Sequence, residues 1–247
     1  MSGLSTAAPY LSVVIPAFNE EKRLGKTLEG MLDYFGGKDY SCELLVVDDG
    51  STDETSTVAC SYAGSRIPLE VIRYEMNRGK GYAIKTGMLA SRGDYALFAD
   101  ADMSTPVEMF DRFEPHLKDG VEVIIGTRKT RGAFVGKHQP FYRENMGKVF
   151  TWLSNFTLGL RLTDFTCGFK CFHRRTIEPV FSSQRIAGWG YDTEILFIAS
   201  KKGFRIEEVP VSWFNDEATR VKLWKNVFTC LAELYQIRQN DRKGLYS

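Results

Sequence analysis

Asp100 and Asp102 stand two residues apart at the end of a short apolar run, Tyr95–Ala99. Hard divalent cations take oxygen ligands, and Mg²⁺ is commonly held by one or two carboxylates, with water and substrate phosphates filling its shell. An Asp-x-Asp pair leaving a buried strand can therefore hold a cation between protein and diphosphate. Taken alone, the same pair suits a turn with an Asp cap ahead of Pro106. A second run ends in Asp48-Asp49-Gly50-Ser51, whose carboxylates can accept hydrogen bonds from ribose hydroxyls or a base edge. Asp-Gly and Ser-Thr-Asp are equally turn and helix-start chemistry, so Thr52 or Asp53 can cap a helix while Asp49 faces ligand. A third polar group, Asn19-Glu20-Glu21, follows the first run.

Cations accompany these acids. Asn77-Arg-Gly-Lys-Gly81 invites comparison with a dinucleotide fingerprint, but Ile84 occupies the place of the third glycine and the motif lies on the third strand–helix unit. That argues against a nicotinamide dehydrogenase. Amides at a helix start, together with Lys80, can still meet an anion. Arg128, Lys129 and Arg131, with Arg143 beyond, follow the fifth run; one or two of them suit phosphate, because the guanidinium presents a two-pronged donor. Asp192 and Glu194 are candidate bases, though both also suit the first turn of a helix.

The positioning elements follow from periodicity. Strands are expected at Leu11–Ile15 (stopped by Pro16), Glu43–Val47, Leu69–Tyr74, Tyr95–Ala99 and Val121–Ile125. Helices are expected at Glu20–Phe35 and Thr52–Ala63, from the glycine turn to about Ser91, and from Pro106. Such alternation implies crossover connections and a mainly parallel α/β sheet. If the strands are parallel, all three acidic groups share the carboxyl edge, where ligands bind in open α/β sheets. Beyond residue 127 the pattern is mixed: a helix at Phe141–Leu160, a short strand at Phe169–Phe172, a helix at Tyr191–Lys202, an extended segment at Phe204–Trp213 and a last helix at about Arg220–Arg238.

The 247 residues suit a flexible start at 1–10 and one domain over 11–247, with a nucleotide-binding half at 11–127 and an acceptor half at 128–247. A composition of 43% hydrophobic and 26% charged residues can bury a core, and a formal charge of +1 gives no reason to expect nucleic acid. Five scattered cysteines, with Cys167 and Cys171 lacking a partner pair, argue for free thiols in a reducing compartment rather than a zinc site. The start resembles no signal peptide, and Val149–Leu160 is too short to span a bilayer. The expectation is a cytoplasmic protein, peripheral on the cytoplasmic face of a membrane.

Val13-Val-Ile-Pro-Ala-Phe-Asn-Glu-Glu21, Val46-Val-Asp-Asp-Gly-Ser-Thr-Asp53, Asn77-Arg-Gly-Lys-Gly81 and Asp100-Ala-Asp102, in this order, resemble the family 2 glycosyltransferases of the GT-A fold. Gly126-Thr-Arg128, Asp164-Phe-Thr-Cys-Gly-Phe-Lys-Cys-Phe172 and Trp189-Gly-Tyr-Asp-Thr-Glu-Ile-Leu196 are similar to the polyprenyl-phosphate sugar synthases, most of all the dolichyl-phosphate β-glucosyltransferases. The resemblance covers roughly Leu11 to Ile237.

It implies a GT-A fold, with a Rossmann-like mainly parallel sheet, helices on both faces and a mixed C-terminal acceptor subdomain. It implies that Pro16, Ala17, Glu20 and Asp49 hold the nucleoside. Asp100 and Asp102 would bind Mg²⁺ or Mn²⁺ with the donor diphosphate. Arg128 and Arg143 would face an acceptor phosphate, with Lys170 and Asp192 beside the sugar. Arg220, in Ala218-Thr-Arg-Val221, stands near the place of a lysine that closes over the diphosphate in relatives. The reaction expected is inverting transfer of a hexose, glucose from UDP-glucose first, to a polyprenyl phosphate. A soluble sugar or glycan acceptor and a non-catalytic sugar-nucleotide binder are the alternatives. The last helix, with Leu223, Trp224, Val227, Phe228, Leu231, Leu234 and Tyr235 on one side, suits either a membrane interface or packing on its own domain.

Overall fold

Leu11–Ala17 and Cys42–Asp48 are buried at every position, the mark of strands covered on both faces, and they form β1 and β2. With β3 (Leu69–Arg73), β4 (Tyr95–Ala99), β5 (Val123–Thr127), β7 (Phe169–His173) and β8 (Ile206–Pro210) they make a seven-stranded sheet of order β3-β2-β1-β4-β7-β5-β8. A computed structural model of the chain describes residues 8–136, 141–214 and 223–247, with the side chains of 141–143 and 223–228 outside that description. Residues 1–7 of the expected flexible start therefore lie outside it.

Strand order reverses between β1 and β4. The β1–β4 ladder ends at Val14↔Phe98, whereas β1–β2 pairing continues to Ala17↔Asp48. Pro16 explains how this split is tolerated. Ala17 O accepts from Asp49 N–H on the β2 side at 2.9 Å, so the neighbouring Pro16 faces β4, where its missing N–H leaves nothing unpaired. Pro16 lies inside β1 rather than stopping it.

Helices cover both faces. On one, α1 (Leu24–Gly36) and α2 (Thr55–Ser61) bury Leu24, Leu28, Met31 and Ala59 against the sheet. Pro106 precedes a 3₁₀ turn, Val107–Arg112, and then α4 (Glu114–Lys118), in place of one continuous helix. On the other face, α3 (Lys80–Ala90) lies so close that a Cβ at Gly87 would meet Val47 Cγ2 at 2.9 Å. The same face holds α6 (Arg174–Phe181), α7 (Tyr191–Lys201) and the buried Leu234 and Ile237 of α8 (Leu223–Arg242).

The later half departs from expectation in three ways. β7 runs antiparallel to both β4 and β5. α6 follows it directly, unforeseen. The Phe204–Trp213 segment is broken into β8 and β9 (Ser212–Trp213), the latter pairing with β6 (Phe134–Val135) in a small second sheet. α5 (Phe141–Leu158) packs on α8.

Candidate active site

The split between β1 and β4 opens into a cleft of about 430 Å³ at the carboxyl ends of the strands. Pro16, Ala17, Glu20 and Asp49 line it, together with Lys80, Asp100, Asp102 and Arg128. These predicted site residues therefore share one cavity.

The loops after β1 and β2 are stitched together. Asn19, at φ 55°, accepts from Thr52 N–H at 2.8 Å and donates its own N–H to Ser51 Oγ at 2.9 Å. Glu20 pairs through both oxygens with Arg23. Asp48 is buried and structural, accepting from Ser51 N–H and Ser56 Oγ–H. Asp49 accepts from Arg78 N–H at 2.8 Å and Gly79 N–H at 2.9 Å. Burial pushes its pKa up, and those two amides pull it back. Asp49 thus fastens the 77–79 loop from the cleft wall.

That arrangement corrects the reading of the α3 start as an open anion cradle. Gly79 N–H is spent on Asp49, and Gly81 N–H donates to Ala187 O at 2.8 Å. Gly79 takes φ 99°, and a Cβ there would lie 2.6 Å from Ala187 O. What α3 offers the cleft is the Lys80 side chain. Its Nζ lies 2.6 Å from Asp100 Oδ1 and 5.6 Å from the centre of the Trp189 ring. Burial works against its charge, but Asp100, Asp192 and Asp102 outweigh that and hold its pKa above the usual lysine value.

The Asp100–Asp102 loop is anchored from three sides. Thr27 Oγ1–H donates to Ala101 O at 2.7 Å, Phe214 N–H to Ser104 O at 2.8 Å, and Ser104 N–H to Asp102 Oδ1 at 2.9 Å. Gly168 completes it: Asp100 N–H donates to Gly168 O at 3.2 Å, and a Cβ at 168 would overlap the Asp100 carboxylate. Two oxygen-donor side chains, one of them packed directly over a glycine, suit Mg²⁺ or Mn²⁺, which needs few protein ligands when phosphates supply the rest. Among the described residues no cluster of three or more His, Cys, Asp or Glu forms a self-sufficient metal cage.

Arg128 reaches the cleft from the end of β5, yet its main partner is internal. Nε and Nη2 bond Asp164 Oδ2 and Oδ1 at 2.7 and 2.8 Å, Nη2 also bonds Thr166 Oγ1, and the guanidinium lies 5.3 Å from the Trp213 ring centre. Burial alone would raise the Asp164 pKa; Arg128 outweighs it and holds that carboxyl well below the usual range.

Three expected site residues lie beneath the floor. Lys170 is fully buried and pairs with Asp192, also donating to Cys167 O at 2.6 Å. Neither is among the residues that line the cleft, though Asp192 lies close enough to Lys80 to act on its charge. Burial pushes the Asp192 pKa up against Lys170 and Lys80. Glu194 accepts from Arg185 N–H, Ile186 N–H and Tyr246 O–H and is fully buried, away from the cleft lining. Arg220 and the Arg143 side chain lie outside the described residues. Trp189 and Trp213 line the cleft unforeseen; the glycines on either side of Trp189 were the available signal.

The family model for glycosyl transferase family 2 matches residues 12–181. The chain belongs to glycosyl transferase family 2. It is 34% identical to the dolichyl-phosphate beta-glucosyltransferase of Trichomonas vaginalis over 88% of this chain and 69% of that one. To the human dolichyl-phosphate beta-glucosyltransferase it is 34% identical over 87% and 70%. Among solved structures, glucosyl-3-phosphoglycerate synthase from Mycobacterium tuberculosis, in complex with Mn²⁺, UDP and glucosyl-3-phosphoglycerate, superposes with TM-score 0.67 at 22% identity, over 94% of this chain and 80% of that one. The shared fold is that of the GT-A glycosyltransferases, and the motifs at the split of the sheet fall within the matched family 2 region.

Proposed function

We propose that this glycosyltransferase moves glucose from UDP-glucose to a dolichyl-type polyprenyl phosphate, with inversion at the anomeric carbon. The observation that carries the reading is the charge pattern of one cleft, which is lined by Asp100, Asp102 and the Lys80 paired with Asp100, and also by Arg128. The relatives named dolichyl-phosphate beta-glucosyltransferase supply the sugar and the acceptor class. Pro16, Ala17 and Glu20 border the nucleoside region, where Asp49 holds the loop that carries Lys80.

The acceptor's phosphate oxygen forms the new bond to the anomeric carbon while the bond to the diphosphate breaks, its electron pair leaving with UDP. Lys80 balances charge at the diphosphate, and Arg128, held in place by Asp164, presents its positive charge to the second anion. Asp100 and Asp102 would hold Mg²⁺ or Mn²⁺, which supplies charge stabilisation to the leaving diphosphate. A phosphate acceptor is already anionic near neutral pH, so no base need be built; the burial of Asp192 and Glu194 accords with that.

A lipid acceptor also requires a way to meet a bilayer. No helix among the described residues is long and apolar enough to cross a membrane. On α5, Val149, Trp152 and Phe156 share a face, with Trp152 63% and Phe156 79% exposed and their rings stacked at 5.8 Å. An exposed aromatic stripe beside Lys148 suits an interfacial helix. Peripheral contact therefore falls to α5 at least as much as to α8.

The test is transfer of radiolabelled glucose from UDP-glucose, with Mg²⁺ or Mn²⁺, to polyprenyl phosphate. Label in the organic phase that vanishes with EDTA is expected. Label found only in water-soluble product would move the acceptor to a soluble sugar or glycan.

A further inference from the structure

Glu233 lies on α8, and no step above uses it. It is half-buried, and burial pushes its pKa up against the pull of the Gly190 N–H. A carboxylate taken partly out of water is costly unless a donor meets it. Here Gly190 N–H donates to Glu233 Oε2 at 2.8 Å.

The loop around it is shaped to admit it. A Cβ at Gly188 would overlap the Glu233 carboxylate, and one at Gly190 would lie 2.8 Å from Glu233 Cβ. Between these two glycines stands Trp189, 41% exposed, which lines the cleft. Its ring is the one 5.6 Å from Lys80 Nζ, the lysine paired with Asp100. On its other side the loop is tied to the start of α3, where Gly81 N–H donates to Ala187 O at 2.8 Å. Two glycines flanking a tryptophan leave its backbone wide freedom unless something holds it. Gly81 holds one end, and Glu233 holds the other.

We propose that Glu233 is a positioning residue for the donor site. By clamping Gly190 and filling the space between the two glycines, it fixes Trp189 as the wall against which Lys80 and the donor diphosphate are set. The last helix, which also carries the exposed Leu231 and Tyr235, is thereby joined to the cleft. Its loss should weaken donor binding through Trp189 more than it weakens the fold.

The inference rests on the donor-site reading, and the experiment separates the two. UDP affinity in the presence of Mn²⁺ is measured by calorimetry for the wild type, Glu233→Ala, Trp189→Ala and the double variant. Glu233→Ala should weaken UDP about tenfold, the scale of losing one hydrogen bond made by a charged group. Glu233→Gln, whose amide oxygen can take the same N–H, should restore most of it. In the Trp189→Ala background, adding Glu233→Ala should change affinity by less than about twofold, because residues acting through one contact are not additive. An undiminished effect in that background overturns the inference and leaves the donor site standing. A wild type that binds no UDP overturns both. Should Glu233→Ala fail to fold, Gly188→Ala, which displaces the same carboxylate, goes through the same cycle with the same expected outcome.

Discussion

Lys80 Nζ lies 2.6 Å from Asp100 Oδ1, so the cation of one motif sits on the carboxylate of another that is twenty residues away in the chain. Without a ligand the lysine serves as the carboxylate's counter-ion, and a divalent cation must share or displace it. Lys80→Met should therefore bind Mn²⁺ more tightly in the absence of nucleotide and yet transfer sugar about a hundredfold more slowly, since one preorganised charge at the leaving group is gone. Metal titration and turnover measured on the same preparation check the opposite signs. Equal turnover would remove Lys80 from the reaction.

Asp102→Asn should reduce transfer by at least about a hundredfold while leaving the melting temperature near that of the wild type, because a half-exposed carboxylate on a loop carries little of the fold. Gly168→Ala should act on the same site by another route. The new methyl group would overlap the Asp100 carboxylate, so the Mn²⁺ concentration for half-maximal activity should rise about tenfold, or 1.4 kcal/mol. A Gly168→Ala enzyme with unchanged metal demand would show that Asp100 can turn away freely.

Arg128→Ala should cost stability as well as activity. Asp164 is fully buried and bonded to Arg128 through both oxygens, and stripping a buried charge of its partner costs about 3–5 kcal/mol. Urea unfolding checks this, and Arg128→Lys should recover part of it without the two-pronged geometry. The sign of the pH dependence follows from the lowered Asp164 pKa. Its contribution is complete above the unfolded carboxyl value of about 4 and is lost as pH falls below that, where the unfolded chain takes up the proton first. The stability advantage of wild type over Asp164→Asn should stay level from about pH 7 to about pH 5 and shrink as pH falls below about 4; a constant gap down to about pH 2.5 would mean the pair is not ionic.

Trp152→Asp with Phe156→Asp should abolish sedimentation with vesicles containing anionic lipid while changing unfolding free energy by no more than about 0.5 kcal/mol per site, as exposed substitutions do. Retained vesicle binding would shift the membrane contact to α8.

Much of the cleft was legible in the sequence because its signals are local. β1, β2 and β4 are short apolar runs ending in acids, and parallel pairing brings Glu20, Asp49, Asp100 and Asp102 to one edge. What was not legible depends on burial and on the partner chosen. Lys170, Asp192 and Glu194 have the same side chains whether they meet ligand or each other, and only the antiparallel insertion of β7 puts Lys170 under the floor against Asp192. α6 was hidden by Pro179 inside it, a residue that ordinarily marks a helix limit. Arg128 was found by type and place, but its hold on Asp164 was not, since the two are separated by the whole of α5.

The reversal of β7 has a consequence for how such an enzyme can change. β5 runs toward the cleft edge, and β7 starts from that edge and runs away. The chain between them leaves the sheet and rejoins it on the same side, as in an overgrown hairpin, so no crossover constrains its length. Arg128 stands at its exit, Gly168 at its return, and the aromatic stripe of α5 lies along the way. Residues can be added to or exchanged within this excursion without shifting the register of β1, β2 or β4. The architecture thus separates inheritance from invention: the carboxyl edge of the parallel strands is fixed by the sheet, and the far side of the cleft is left to an excursion that can vary.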